Sequence, residues 1–456
     1  MPDTLLHTHD TICAIATAYG TAGIAVIRVS GQDAIMIVDR LFHGRQSLSE
    51  AAGHTAHYGT IRSTKDGTTL DQVVCLVLRA PHSFTGEDTV EISCHGSQFI
   101  QQELLRWLID AGCRMADRGE FTKRALLSGK IDLTQAEAVA DLIASQTAAE
   151  QQIALCQLRG GISGKIAELR EQLLTFTSLM ELELDFADHE ELEFADRIQL
   201  TALLGSAQQT ISELTESFKV GNAIKQGIQV AIVGAPNAGK STLLNALLGD
   251  ERAIVSDIRG TTRDTIEDTL ILGGVTVRLI DTAGIQTTDD TIEQMGIERS
   301  KQAMERAHIV IELIDMTDEQ PVVRPDDIRS GHVWLRVYNK IDALSEDKQP
   351  GSHDGEVLIS AKSRQIEPLL ERLGQEVSRL TAHSDSVLIS NARHYEALCL
   401  AHEALSRVEE GLRLNLSGEL ITPDLHDALD ALGQITGQVS SQDVLNNIFQ
   451  HFCIGK

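Results

Sequence analysis

The sequence is short of four things, and each absence narrows the field. Its seven cysteines (13, 75, 94, 113, 156, 399 and 453) are odd in number and scattered, with no C-x-x-C pair. That usage fits a reducing cytosol and argues against a structural zinc site. No run of about 18 apolar residues occurs, so no membrane span is expected. The segment Met1–Asp10 is polar and lacks the basic start and apolar middle of a secretory signal. Basic charge is scarce: 39 Lys and Arg against 66 Asp and Glu leave a net charge of −27. The surplus favours solubility and opposes broad contact with a phosphate backbone. Any nucleic acid would then be held by a local patch or by a basic partner. A cytoplasmic protein is the expectation.

What is present begins with length. At 456 residues and 42% hydrophobic content the chain exceeds one core and suggests about three domains. The most informative stretch is Gly234-Ala-Pro-Asn-Ala-Gly-Lys-Ser241, which fits the phosphate-loop pattern G-x-x-x-x-G-K-[ST] at every fixed position. Ile228–Val233 before it reads as a buried strand and Thr242–Leu248 after it as a helix, the context that pattern requires. Backbone N–H groups there make a nest for phosphate oxygens. Lys240 would lie against the outer phosphates and the Ser241 hydroxyl on a magnesium ion.

Further signals follow in the order a GTPase needs. Thr276–Ile280 reads as a strand running into Asp281-Thr282-Ala283-Gly284. Asp281 can hold magnesium through a water, and the Gly284 N–H can meet the γ-phosphate. Val333–Tyr338 delivers Asn339-Lys340-Ile-Asp342, where the Asp342 carboxylate can accept both the N1–H and the amino group of guanine. Adenine offers no matching donors, and a buried group left unpaired discriminates strongly. Val357-Leu-Ile then leads to Ser360-Ala361-Lys362, whose backbone can meet the guanine O6. Sites at the carboxyl ends of parallel strands are what a doubly wound sheet provides. Ile285 stands where Ras-like proteins carry a water-positioning glutamine, so water must be activated differently or with a partner.

Elsewhere the pattern is coarser. Gly23–Val29 and Asp71–Leu78 read as strands, and Ser97–Ala111 as a helix closed by Gly112, the one clear helix of the first 130 residues. Arg28 and Glu91 sit inside apolar strands and by themselves read as solvent-facing. His95 reads as a turn residue before Gly96. From Leu133 a long helical pattern opens with a capping box at Thr134 and Glu137 and runs, interrupted at Gly160-Gly161, to about Asp185. An acidic stretch, Glu181–Asp196, reads as a solvated face. A second helical stretch runs to about Val220, and 391–456 is helical again, which suggests one helical domain split by an inserted one.

Ser256-Asp-Ile-Arg-Gly-Thr-Thr-Arg-Asp264 with Asn237 is similar to the potassium-activated GTPases. With Phe84-Thr-Gly-Glu-Asp88, Leu133-Thr-Gln-Ala-Glu-Ala138 and Phe452-Cys-Ile-Gly-Lys456, the whole chain resembles the MnmE (TrmE) family of tRNA modification GTPases. The resemblance implies a multidomain α/β protein. It would comprise a folate-binding-like α+β amino-terminal domain (1–130), a discontinuous α-helical domain (131–222 and 386–456) and an inserted Ras-like P-loop GTPase domain (223–385). It implies a nucleotide site of Asn237, Ala238, Gly239, Lys240, Ser241 and Thr242, with Ser256, Asp257, Ile258, Arg259, Gly260, Thr261 and Thr262, beside the downstream motifs above. Potassium would be held by Asn237, Ser256, Ile258 and Thr261, standing where an arginine finger would offset charge. Magnesium would be held by Ser241 and Thr262. Glu293 would position the attacking water.

For the amino-terminal domain the resemblance implies that Arg28, Glu91, Lys130 and Lys456 bind a tetrahydrofolate derivative, which reverses the solvent-facing reading of Arg28 and Glu91. Cys453, with no identified base, is left out of the catalytic set. The implied activity adds an aminomethyl-type group, typically carboxymethylaminomethyl, to C5 of the wobble uridine (U34) of certain tRNAs. It implies a homodimer working with an FAD-dependent partner of the GidA/MnmG family. Folate would supply the one-carbon unit and GTP hydrolysis would drive a conformational cycle. The competing reading is a regulatory GTPase switch for ribosome assembly. Such proteins usually append an RNA-binding module, and neither a basic patch nor such a module stands out here. A folate-responsive sensor with incidental GTPase activity is a third.

Overall fold

In Ala22–Ser30 (β2) Ala25, Ile27 and Val29 are buried while Arg28 faces the other side, the two-residue period of a strand with one face in a core. The same alternation recurs through a seven-stranded sheet. The computed structural model describes residues 10–185, 197–235, 237–249, 268–281, 304–317, 332–343, 356–381 and 387–439, then 445, 448–450, 452 and 455. The chain divides into two units, Met1–Ala140 with Gly433–Lys456, and Asp141–Leu432.

The first unit carries that sheet. Its other strands are β1 (Ile12–Ile15), β3 (Phe42–Gly44), β4 (Thr55–Arg62), β5 (Thr69–Leu78), β6 (Thr89–Gly96) and β7 (Arg114–Met115), in the order β3-β4-β5-β6-β2-β1-β7. Pairing is antiparallel except between β1 and β7. Helices α1 (Ala34–Asp39) and α2 (Gln98–Asp110) bury Val38, Leu104 and Leu108 against Cys13, Ile27, Val90 and Ile92. Gly112, at φ +119, follows α2 as expected. A third helix, α3 (Glu120–Leu127), was not expected. Like α1, it is too short for a 3.6-residue period to stand out. Leu133 and Ala136 of α4 (Leu133–Ala144) form a satellite cluster with Leu445, Phe449 and Phe452.

The long helical pattern beyond Leu133 is three helices: α4, α5 (Ala148–Leu158) and α6 (Gly161–Asp185). The break near Gly160 was expected and the one at Ser145–Thr147 was not. There the Thr147 hydroxyl accepts from the Glu150 N–H and caps α5 (3.3 Å). The cap of α4 lies two residues earlier than the sequence suggests. Asp132 Oδ1 accepts from the Gln135 N–H (2.9 Å), while Gln135 Oε1 accepts from the Asp132 N–H (3.0 Å), a reciprocal capping box.

In the second unit a six-stranded sheet holds β8 (Ile228–Gly234), β9 (Asp268–Leu272), β10 (Val275–Asp281), β11 (Ile309–Asp315), β12 (Val333–Asn339) and β13 (Glu356–Leu358). The order is β13-β12-β11-β8-β10-β9, parallel except for β9. Helices α8 (Lys240–Leu248) and α9 (Glu367–Thr381) bury Leu243, Leu247, Leu369 and Leu373 against Val230, Val277 and Ile311. Helices α5 and α7 (Arg197–Gln226) touch this sheet, and α6, α10 (Ala392–Arg413) and α11 (Gly418–Thr436) complete the helical part. Helices on either side of the sheet in sequence do pack together. Phe218 of α7 stacks on Tyr395 of α10 (centroids 4.4 Å apart), and the Ser217 hydroxyl accepts from the Ile389 N–H (3.1 Å). The chain is a multidomain α/β protein built from mixed sheets and a helical layer. Among the described residues no helix is long and apolar enough to cross a membrane.

Candidate functional site

Strand β8 delivers the chain to the loop at Ala235–Gly239, and α8 begins at Lys240. Asn237 (φ +68) and Gly239 (φ +98) take left-handed backbone conformations that turn the chain back over its own amides. A Cβ at position 239 would collide with the Asn339 amide, so this glycine is needed for space as well as for φ. The Lys240 ammonium donates to the carbonyls of Gly234 and Ala235, both at 2.9 Å, and so spans the loop. Asn237, Ser241 and Thr242 are exposed at its mouth. An exposed hydroxyl at the start of α8 and an exposed amide in the loop suit a divalent and a monovalent cation bound beside phosphate oxygens.

Parallel register brings the later motifs to the same sheet end, where Asp315 is opposite Asn339. Asn339, 2% exposed, is the joint: its amide donates to the Ala238 carbonyl (2.8 Å) and its oxygen accepts from the Ala361 N–H (3.0 Å). One side chain thereby holds the phosphate loop and the Ser360-Ala361-Lys362 turn. The Ser360 hydroxyl, fully buried, donates to Asp342 Oδ1 at 2.6 Å and so orients that exposed carboxylate. Lys362 is exposed. Lys340 (φ +68) makes a short ion pair with Asp315 at the end of β11. Burial pushes the Asp315 carboxyl up, but hydrogen bonds from Lys340 and Thr317 outweigh it and leave it below the usual range. Asp315 was missed in the sequence; an acidic residue closing a strand parallel to the Asn339 strand was the available signal.

Asp281 ends β10, next to β8. Ser256, Asp257, Ile258, Arg259, Gly260, Thr261, Thr262, Thr282, Ala283, Gly284 and Glu293 lie outside the described residues, as do Cys453 and Lys456.

In the first unit Arg28 and Glu91 are cross-strand neighbours on β2 and β6. Both Nε and a terminal nitrogen of Arg28 donate to the same oxygen, Glu91 Oε1, at 2.9 and 2.8 Å. Their side chains are 15% and 25% exposed, so neither is the freely solvated group that strand pattern alone suggests. The guanidinium lies 5.7 Å from the Phe84 ring centre and 5.6 Å from that of Phe121, within cation–π range. Neither ring was singled out as a contact of Arg28 beforehand. The exposed Lys130 donates to the Pro81 carbonyl (2.8 Å), on the loop that also carries Phe84. Gly455 lies against the backbone of Ile15. Fixed cations, a carboxylate with one committed oxygen and aromatic surface suit a flat heterocycle with a donor edge and an anionic tail.

Behind this corner Arg124, buried on α3, pairs with Asp10 (2.7 Å), Glu120 (3.0 Å) and Glu87 (3.2 Å), while Arg114 pairs with Asp10 and Glu120. Glu87 also accepts from the Ser30 hydroxyl at 2.9 Å. Burial pushes Glu120 up, but hydrogen bonds from Arg114, the Asp117 N–H and Arg124 outweigh it, so its pKa is depressed. Asp10 is depressed in the same way, burial being outweighed by Arg114 and Arg124. His95 belongs to β6 rather than to a turn, and its Nδ1 and backbone N–H both meet Asp71. Among the described residues no group of three or more His, Cys, Asp or Glu is placed to hold a metal.

Comparison with known proteins agrees with both units. The profile "GTP-binding protein TrmE N-terminus" matches residues 11–130 and "MnmE helical domain" matches residues 133–453. A Parabacteroides distasonis protein named tRNA modification GTPase MnmE is 53% identical over 462 residues, covering 98% of this chain and 100% of its own length. Proteins of the same name from Bacteroides fragilis and Flavobacterium johnsoniae are 49% and 48% identical, each covering 98% of this chain and 99% of its own length. With an assembled phosphate loop and guanine-type motifs in one unit and the TrmE-type amino-terminal sequence in the other, the chain belongs to the MnmE family.

Proposed function

We propose that the protein is a GTP hydrolase that modifies C5 of the wobble uridine of certain tRNAs, acting as a cytoplasmic homodimer with an FAD-dependent partner of the MnmG family. The observation that carries the nucleotide half is the Asn339 joint, which ties the phosphate loop to the Ser360 turn, whose hydroxyl in turn orients Asp342. The relatives' shared name supports the tRNA half. Residues 1–130 would form the folate-binding and dimerising domain, 131–222 and 386–456 the helical domain, and 223–385 the GTPase domain.

The chain's own groups have separable tasks. The loop amides and Lys240 hold the β- and γ-phosphates, and the carboxylate of Asp342 reads the guanine edge. Ser241 with Thr262 would hold magnesium, and Asn237 with Ser256, Ile258 and Thr261 would hold potassium. Bound there, the two cations supply positive charge beside the phosphates that an arginine finger supplies elsewhere. Glu293 would orient the attacking water, the task Ile285 cannot perform. Arg28, Glu91, Lys130 and Lys456 would bind a tetrahydrofolate derivative, the one-carbon source. With −27 net charge the chain leaves much of the tRNA to its partner.

The test is GTP turnover in potassium and in sodium at equal ionic strength, with Asn237→Ala alongside. Turnover at least about tenfold faster in potassium, with the advantage lost in the variant, is expected. Equal rates in the two salts would remove potassium from the site and favour activation by a partner protein.

A further inference from the structure

Strands β9 and β10 form a hairpin whose closed end, Gly273-Gly274, meets the first turn of α5. The Ala149 N–H donates to the Gly274 carbonyl (3.4 Å), and the Thr276 hydroxyl donates to Glu150 Oε1 (2.8 Å). The other oxygen of Glu150 accepts from the Gln146 N–H (2.8 Å), so this carboxylate is shared between its own helix start and the hairpin. Thr276 is 8% exposed and Glu150 half-buried, so their bond at the hairpin end is partly shielded from water. Five residues further along β10 the strand ends at Asp281, the first residue of the Asp-Thr-Ala-Gly motif.

Beside this contact lies a cavity of about 150 Å³ lined by Asp141, Ser145, Glu150, Ile153, Lys225 and Ser390, among others. It separates the first turns of α5 from the Lys225–Asp141 ion pair (2.7 Å) that ties the end of α7 to α4. The helix start is therefore pinned on the hairpin side and has room on the other. A packed element with space on one side, held on the other by one short side-chain bond and one long backbone bond, can take two discrete positions, whereas a close-packed one cannot.

We propose that the Thr276–Glu150 hydrogen bond couples the nucleotide site to the helical layer, with Glu150 as a positioning residue. A displacement of β10 at Asp281 is carried along the strand to Thr276 and pulls the α5 cap towards or away from the cavity. Coupling is reciprocal, so a partner or RNA that holds α5 in one position alters nucleotide affinity by the same factor. The inference rests on the guanine-nucleotide reading of the loop.

The test is amide hydrogen exchange over residues 146–158 of the full chain, bound to GDP and to a non-hydrolysable GTP analogue. Binding of both nucleotides is first confirmed by titration. The wild type should change its exchange rate over this segment by about threefold or more between the two nucleotides. Thr276→Val, nearly isosteric, should lose that response while binding GDP as before, and Thr276→Ser should keep it. The double variant Glu150→Ala/Thr276→Val should behave as Thr276→Val alone, and a restored response in it would overturn the coupling. A full response in Thr276→Val, or no response in the wild type with both nucleotides bound, would overturn the coupling. Failure to bind either nucleotide would instead overturn the reading of the loop.

Discussion

The phosphate loop of the second unit and the Arg28 corner of the first are both polar, but they are organised by opposite means. Around the loop the work is done by backbone: left-handed Asn237 and Gly239 aim amides, and Asn339 fixes the loop through a carbonyl and an N–H. In the Arg28 corner side chains neutralise side chains, with Arg28 on Glu91 and Arg114 and Arg124 shared among Asp10, Glu87 and Glu120. A backbone nest needs consecutive residues; an ion-pair network needs only that distant residues meet. Its members lie up to 114 positions apart, as Arg124 and Asp10 do.

The sharpest way to break this comparison is Lys240→Ala. It removes the only side-chain cation of the loop and should weaken GTP binding at least about a thousandfold, roughly 4 kcal/mol, in a fluorescent-nucleotide titration. Thermal unfolding of the first unit should not change. Arg124→Ala should do the reverse. It takes the cation from Glu87 and one of two from Asp10 and Glu120, which keep Arg114, and should destabilise the first unit by about 1–3 kcal/mol in denaturant titration, with nucleotide affinity intact.

A smaller effect tests the base site. Asp342→Asn exchanges an acceptor for a donor opposite the guanine amino group, and should raise the Kd for GTP by about ten- to a hundredfold without improving ATP. Equal losses for phosphate-only ligands would show that Asp342 acts on the loop instead.

The smallest expected effect is on pH dependence. Asp10 and Glu120 have depressed folded pKa values. Their contribution is fully present above the unfolded values of about 4 to 4.5 and is lost as pH falls through the folded ones. Melting of the first unit should therefore drop between about pH 5 and pH 3, and Arg124→Ala should flatten that slope. Asp315 has the same sign but, among the described residues, one cationic partner, Lys340, so the second unit should respond less.

The same contrast explains what could be read in advance. Strand–loop–helix at Ile228–Leu248 and the strands before Asp281 and Asn339 were legible, because contiguous residues carry both the period and the motif. The pairing of Arg28 with Glu91 was not legible, since it depends on sheet register between residues 63 apart. The contacts of the Phe84 and Phe121 rings with Arg28 and the Arg124 network had no local signature, while Asp315 had only its place at the end of a strand. The Ser145–Thr147 break was hidden because the residues on both sides are good helix formers, and a three-residue interruption barely disturbs the period.

The cluster of Leu133 and Ala136 with Leu445, Phe449 and Phe452 has a consequence for biosynthesis. A chain leaving the ribosome completes the seven-stranded sheet early, yet the apolar face of α4 stays uncovered until the residues past Leu445 have emerged. The roughly 290 residues of the second unit come between, and at about 5–20 residues per second they take about 15–60 s. Through that interval the nascent protein presents Leu133 and its neighbours to whatever attends the exit tunnel. A chain that terminates prematurely within the second unit never covers them, so incomplete copies carry a standing mark for chaperones and proteases.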